Sequence, residues 1–132
     1  MRVFVDTNVW VSAIASPGLC EELLKQLFSS HEVLSSELVQ RELESVLVRK
    51  LRFSRQEINA ALGMFGETSL LADVSAPRND SDARLVTAAA AGGAHLFVTG
   101  DKRVLEWGAS GSMRIVSPRD AWIILFEPQL NR

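Results

Sequence analysis

Short apolar runs that stop at a polar residue alternate along the chain with longer segments of helical periodicity. Arg2–Asp6 is a run of valine and phenylalanine ended by an acid, which is typical of a buried strand. Leucine and phenylalanine recur at spacings of three and four within Cys20–Phe28, which predicts a helix. The same criteria predict strands at Arg2–Asp6, Glu32–Ser35, Leu70–Val74, Leu96–Thr99 and Met113–Val116.

Helix-start signals precede several of the helical segments. Ser36 is placed as an N-cap, and Ser54 with Glu57 forms the S-x-x-E capping box. Proline follows Ser117, at a first helical position where its missing N–H costs little. The predicted helices are Thr7–Ile14, Cys20–Phe28, Glu37–Lys50, the segment between Ser54 and Phe65, Asp82–Ala91 and Pro118–Phe126.

This alternation of strands and helices predicts an α/β fold. We expect a three-layer α/β/α sandwich in which helices cover both faces of a parallel five-stranded sheet. The chain has 132 residues, of which 47% are hydrophobic, and this suits a single domain over residues 1–132. Ligands of such sheets bind at the carboxyl ends of the strands, so acids at strand ends are the first candidates for a functional site.

Charge and cysteine content narrow the function classes. A formal net charge of −2 and a pI near 5.7 exclude a uniformly basic protein that coats nucleic acid, so a polyanion would need a local patch or metal ions. Cys20 is the single cysteine and the first residues lack a signal-peptide pattern, so we expect a cytoplasmic protein. No apolar run approaches the ~20 residues that span a bilayer, so we expect no membrane contact.

Asp6 and Asp101 each follow a predicted core strand. Asp6 comes directly after Val3–Val5, and Asp101 comes after the run that ends in Thr99 and Gly100. Both carboxylates should therefore emerge at the same edge of a parallel sheet. An aspartate in this position is as often a cap for the following helix or turn as it is a ligand, and either acid alone leaves both interpretations open.

Glu42 is the more informative acid. On a helical wheel it falls within the apolar arc of its helix, with Leu38 and Val46 one turn away on either side. An unpaired carboxylate that faces a core is costly, so Glu42 needs a cationic partner or a metal. An ion pair with Arg49 is the alternative, but Arg49 lies two turns away, which favours the ligand.

Asp82 completes the set of candidate acids. It stands in the first turn of an alanine-rich helix, where an acid is stabilised by the helix dipole without any catalytic role. Four acids from separated segments can nevertheless meet above the sheet, and each ionised pair about 5 Å apart would cost ~3 kcal/mol at an effective dielectric near 20. Such a cluster binds cations or takes up protons, and all-oxygen ligands suit Mg²⁺ or Mn²⁺. The predicted ligands are Asp6, Glu42, Asp82 and Asp101.

Four segments together make the chain resemble the PIN-domain family, small nucleases that include the VapC-like toxins of toxin–antitoxin pairs. They are VDTNVWVSAI, LSSELVQRELESVL, SDARLVTAAAAGGAHLFVTGDKRVL and RIVSPRDAW. The D-T-N opening and the T-G-D sequence are short, but their order and separation make the combined signal specific. The resemblance covers nearly the whole chain.

The resemblance implies a sheet of order 3-2-1-4-5 and a catalytic, metal-binding site made of the four acids already named. Thr7, Asn8 and Thr99 are then neighbours that orient carboxylates or substrate. Lys102, which adjoins Asp101, is the favoured contact for the RNA backbone. A second basic cluster at the junction of two predicted helices is the other candidate, although such a cluster is as often a solvated face: Arg49, Lys50, Arg52 and Arg55.

The chain departs from the family in two places: Asp82 is followed by Ala83 and Arg84 where relatives often carry more acids, and Arg103 stands where another acid is frequent. These departures allow a weaker site or a site for a single metal ion.

The functional hypothesis is an Mg²⁺- or Mn²⁺-dependent endoribonuclease in which the ion activates water for attack on phosphorus. The resemblance further implies an RNA substrate, a small antitoxin partner and a homodimer. A PIN-like module that binds RNA or protein without cutting is the alternative. A haloacid-dehalogenase-like phosphatase is disfavoured, because that family needs a second aspartate where this chain has Asn8. A receiver domain is disfavoured for want of an acidic pair after the first strand.

Overall fold

The computed structural model describes residues 1–74, 77 and 79–127, and within them a single sheet of six strands forms the centre of the molecule. The strands are β1 Arg2–Val5, β2 Glu32–Ser35, β3 Ser69–Leu70, β4 Leu96–Val98, β5 Ala109–Ser110 and β6 Met113–Val116. Their spatial order is β3-β2-β1-β4-β6-β5. All neighbouring strands are parallel except β5 and β6.

The described helices alternate with these strands. They are α1 Thr7–Ala15, α2 Leu19–Ser30, α3 Glu37–Arg49, α4 Arg55–Phe65, α5 Ser81–Ala91, α6 Lys102–Trp107 and α7 Pro118–Phe126. The predicted N-caps are confirmed at Ser36 and Ser117, and the capping box of Ser54 and Glu57 is present with both of its hydrogen bonds. None of the helices in the described ranges is long and apolar enough to cross a membrane.

The α/β class and the predicted order of five strands are confirmed, with one correction. The sheet has a sixth strand, β5, which pairs with β6 in an antiparallel hairpin, so the sheet is mixed rather than wholly parallel. Gly108 precedes this short strand and Gly111 follows it, and their φ angles are positive, at 73° and 60°. A strand of two residues is too short to show an alternating pattern, and the sequence therefore did not reveal it.

Two further elements differ from the sequence-based expectation. The strand predicted at Leu70–Val74 is instead Ser69–Leu70, an edge strand in which Leu70 is 52% exposed. The Leu71 N–H makes the last hydrogen bond of this pairing, to the Ser35 carbonyl oxygen (2.8 Å), and the chain then leaves the sheet. The six-residue helix α6 was not predicted, since its length gives less than two full turns of periodicity.

The two central strands are buried on both faces. Residues 3–5 of β1 are 0% exposed, and residues 96–98 of β4 are at most 2% exposed. Because successive side chains of a strand point to opposite faces, this burial requires cover on both sides of the sheet. Phe4 and Phe97 stack across the strand pair with their ring centroids 5.3 Å apart. The carboxyl ends of β1 and β4 are thereby fixed side by side.

Candidate functional site

Asp6 is a buried carboxylate at the end of β1. It is 3% exposed, and its Oδ1 accepts a hydrogen bond from the Thr7 N–H (2.8 Å), so it caps α1. Its Oδ2 accepts hydrogen bonds from the Thr99 hydroxyl (2.8 Å) and from Asn8 Nδ2 (3.1 Å). Its backbone N–H donates to the carbonyl oxygen of Val98 in β4 (2.9 Å). The capping role is thus present, and the second oxygen is held in place from two further directions.

Thr99 and Asn8 connect the segments after the two central strands. The Thr99 side chain, which is 0% exposed, accepts hydrogen bonds from the Asp101 N–H (3.1 Å) and from Asn8 Nδ2 (3.2 Å) while it donates to Asp6. The Asn8 side-chain oxygen accepts from the Gly100 N–H (2.8 Å). These two residues fix the Asp6 carboxylate relative to Asp101, as neighbours predicted to orient it would.

Glu42 approaches the same place from α3. The Thr7 hydroxyl donates to Glu42 Oε1 at 2.7 Å, which joins α3 to the start of α1. Glu42 is half-buried beside the fully buried Leu43, so it lies at the border of the apolar face. The ion pair with Arg49 that the sequence left open is not found among the described residues. The partner is instead a neutral hydroxyl, which leaves the negative charge of Glu42 without a cation.

Burial raises the pKa of Asp6 to about 6, against an ordinary value of 3.8. The hydrogen bonds from Thr99 and Thr7 oppose this rise, whereas the negative charges of Asp82 and Glu42 add to it. Partial burial, and then the charge of Asp101, raise the pKa of Asp82, although the nearby Arg103 opposes this. These acids therefore interact electrostatically, and the buried member is the one most in need of a positive charge.

Three of the four predicted acids line one cavity. Asp6, Glu42 and Asp82 border a space of about 730 Å³ that opens above the carboxyl ends of the strands. The wall continues along α3 with Arg41, Ser45 and Lys50. Asp101 borders a smaller neighbouring space of about 340 Å³, together with Asn8 and Gly100. Asn8 lines both spaces and so stands between Asp101 and the larger cavity.

A second group of charged side chains lies beside this cavity, and we call it the Arg103 cluster: Asp80, Asp82, Asp101 and Arg103. Asp80 is the N-cap of α5, so the helix begins at Ser81, one residue before the predicted start. The Arg103 guanidinium forms ion pairs with Asp80 and with Asp82, the latter at 3.2 Å. The Arg103 N–H donates to Asp101 Oδ1 (2.9 Å), which caps α6.

The predicted metal ligands are carboxylates, which suit a metal ion, but their side chains do not surround a single point. Among the described residues, no group of three or more His, Cys, Asp or Glu side chains is arranged closely enough to hold a metal ion. Yet the carboxylates of Asp6, Glu42 and Asp82 face one cavity, and the ionised form of Asp6 is disfavoured by burial. Carboxylate oxygens of this kind suit Mg²⁺ and Mn²⁺.

Several lining residues were not among the sequence-based candidates. Arg41 and Ser45 stand one residue before and three residues after Glu42, so the helical wheel that indicated Glu42 could also have indicated Ser45. Lys102, the favoured backbone contact, is an exposed residue at the start of α6, whereas Lys50, from the other basic cluster that the sequence indicated, lines the cavity. Asp80 accepts a hydrogen bond from the Ala83 N–H (3.1 Å). An aspartate directly before a predicted helix could have been recognised as its N-cap.

Comparison with known proteins identifies the family to which the chain belongs. The family model described as "PIN domain" matches residues 3–124. No curated protein matches the chain. A chain in the crystal structure of VapBC2 from Rickettsia felis bound to a promoter DNA fragment is similar in structure, with a TM-score of 0.65 and 18% sequence identity over 89% of this chain and 98% of that chain. With a family model matching almost its entire length, this chain belongs to the PIN-domain family.

Proposed function

We propose that this chain is an Mg²⁺- or Mn²⁺-dependent endoribonuclease. The observation that carries the proposal is the cavity onto which Asp6, Glu42 and Asp82 all open. Within the described residues neither Asp6 nor Glu42 has an ion-pair partner, so no cationic side chain is in direct contact with either carboxylate. Membership of the PIN-domain family supports the same chemistry.

Asp6 and Glu42 would hold the divalent ion, with Asp82 and Asp101 as the further predicted donors. When bound, the ion would lower the pKa of a water molecule and neutralise charge that develops on the scissile phosphate. The side chains of Thr99 and Asn8 keep the Asp6 carboxylate in one orientation, and Thr7 does the same for Glu42. Such fixed carboxylates avoid the cost of reorganising when charge develops.

The basic residues of α3 give this cavity a place for the RNA backbone. Arg41 and Lys50 line the same cavity as the three acids, and Ser45 offers a hydroxyl between them. Phosphate oxygens are bound in proteins by lysine, arginine and serine side chains, which set the register of the nucleic acid rather than its sequence. A strand could therefore lie along α3 with one phosphate near Asp6.

The biological setting is part of the proposal. We propose that the chain is the toxin of a toxin–antitoxin pair, is inhibited by a small antitoxin and forms a homodimer. Family membership and the likeness to VapBC2 support this setting. A cytoplasmic location is proposed because Cys20 is the single cysteine of the chain.

Cleavage of a defined panel of RNAs in Mg²⁺, Mn²⁺ or EDTA tests the activity. We expect cleavage with either ion, none in EDTA, and a loss of at least about a hundredfold in Asp6→Asn, which keeps the shape of the side chain but removes its charge. Asp120→Asn, on the first turn of α7, is the matched control and should cleave normally. Undiminished cleavage by Asp6→Asn would refute the assignment.

A second candidate function is RNA or protein binding without cleavage. The observation in its favour is that the carboxylates of the described residues do not form a ready metal site. A gel-shift measurement on the same RNA panel separates the two functions. Binding by the unmodified chain with no cleavage in either ion would support the binding module and exclude the nuclease.

A further inference from the structure

Arg103 introduces a permanent positive charge among the acids of the candidate site. Its guanidinium pairs with Asp80 and Asp82 at the start of α5, and it lies over the ring of Trp107 at 5.0 Å from the ring centre. Arginine stays protonated at any physiological pH. The guanidinium is thus held by two carboxylates and an aromatic face in one place, next to an acid that lines the larger cavity.

An isolated ion pair on the surface would not by itself indicate a role for Arg103, since such pairs contribute little to stability. The Arg103 side chain is 54% exposed, but its arrangement differs from an isolated pair in two ways. It joins two acids from the same helical turn, and its backbone N–H binds a third acid, Asp101. The guanidinium therefore pairs with two carboxylates that would otherwise repel one another, and the backbone of the same residue holds a third.

The same contacts occupy the oxygen that a metal ion beside Asp82 would require. Arg103 Nη1 donates to Asp82 Oδ2 at 3.2 Å. A divalent ion bound there would have to displace the guanidinium from this oxygen, and while the guanidinium remained it would repel the ion. In the described part of the chain no lysine or arginine forms an ion pair with Asp6 or Glu42.

We propose that Arg103 is a positioning residue that replaces a second divalent ion beside Asp82, so that the chain binds one metal ion, through Asp6 and Glu42. The proposal rests on the proposed function, because it presumes that the acids bind metal. The guanidinium fixes Asp82 at the rim of the cavity and supplies the positive charge on that side.

Titration of the metal-free protein with Mn²⁺ tests this proposal, with calorimetry for the stoichiometry and electron paramagnetic resonance for free Mn²⁺. We expect one Mn²⁺ per chain in the unmodified protein. Arg103→Gln should bind a second Mn²⁺, because the repelling charge is gone and Asp82 is released. Arg103→Lys keeps the charge and should bind one ion, and Arg119→Gln on α7 is the matched surface control.

The outcomes separate the two levels of the argument. If Arg103→Gln binds Mn²⁺ with the same number and affinity as the unmodified chain, or if the unmodified chain already binds two ions, the role of Arg103 is refuted and the nuclease proposal stands. If the unmodified chain binds no Mn²⁺, the nuclease proposal fails first. Should Arg103→Gln not fold, Arg103→Met keeps a long side chain against Trp107 and gives the same test.

Discussion

The two sides of the candidate site hold their carboxylates in opposite ways. On one side is the Asp6 network, which comprises Asp6, Thr7, Asn8, Glu42 and Thr99. Asp6 is 3% exposed and is held by hydrogen bonds from neutral groups. On the other side is the Arg103 cluster, where the acids are paired with a guanidinium whose side chain is 54% exposed.

This difference shows how depth decides the kind of support that an acid receives. A buried carboxylate with only neutral donors keeps an unmet need for positive charge, which raises its pKa. An exposed acid paired with arginine has that need met, and salt screens the pair. The Asp6 network is therefore the side prepared to bind a cation, and its stability should respond to pH, whereas the Arg103 cluster should respond to salt.

The largest effect should come from the ionisation of Asp6. Because burial raises its folded-state pKa from 3.8 to about 6, protonated Asp6 stabilises the fold below pH 4 and that contribution is lost as the pH rises through 6. Relative to Asp6→Asn, the unmodified chain in EDTA should lose about 3 kcal/mol of unfolding free energy between pH 4 and pH 7. Urea denaturation across this range measures it. Saturating Mg²⁺ should reduce the difference, and two parallel pH profiles in EDTA would contradict the prediction.

Removing the hydroxyl of Thr99 should have the next largest effect. Thr99→Val deletes a buried donor to Asp6 and the acceptor for the partly buried Asp101 N–H. We expect a loss of about 2 kcal/mol in unfolding free energy at pH 7, because Asp6 Oδ2 keeps only the hydrogen bond from Asn8 and the Asp101 N–H loses its acceptor. Thr87→Val, at an exposed position of α5, is the control. Equal stability of the two variants would mean that the Asp6 network does not depend on this hydroxyl.

The two sides of the candidate site should also differ in their contribution to RNA affinity. Lys50 lines the cavity next to the Asp6 network, whereas Lys102 is exposed beside the Arg103 cluster. With cleavage blocked by Asp6→Asn, Lys50→Gln should weaken RNA binding by about fivefold at low salt, and the loss should shrink as salt rises. Lys102→Gln should weaken binding less. A larger effect of Lys102→Gln, measured by fluorescence anisotropy, would place the RNA on the other side.

The smallest effect concerns salt and stability. In about 1 M NaCl, where the Debye length is roughly 3 Å, the exposed pairs of Arg103 should contribute little. The thermal midpoints of the unmodified chain and Arg103→Gln should therefore converge as NaCl is added. The difference between the unmodified chain and Thr99→Val should not change with salt. Convergence in both comparisons would remove the contrast between the two sides.

The sequence revealed those parts of the site that depend on backbone topology. Asp6 and Asp101 follow strands that lie side by side in a sheet, so knowing the strands is enough to place both acids at one edge. Glu42 was found because an acid within an apolar arc violates helical patterning. These signals are local, or they follow from the order of elements that the sequence predicted.

Features that depend on side-chain contacts between distant segments were not predicted. Arg103 and Asp80 are 23 residues apart, and no periodicity relates them. The sequence favoured Lys102 over Lys50 as the contact for the RNA backbone, yet Lys50 is the one that lines the cavity, and the pattern of α3 alone does not show this. The antiparallel β5 escaped notice because it is only two residues long.

The hydrogen bond from the Asp6 backbone N–H to the Val98 carbonyl oxygen makes this residue part of the ladder between the two middle strands. The binding of a ligand to the Asp6 carboxylate is therefore coupled to the cooperative unfolding of the whole sheet rather than to the opening of a loop. Ligand binding at Asp6 should slow amide hydrogen exchange along β1 and β4 as well as at the site. Conversely, a change that destabilises the core should weaken ligand binding by the same free energy.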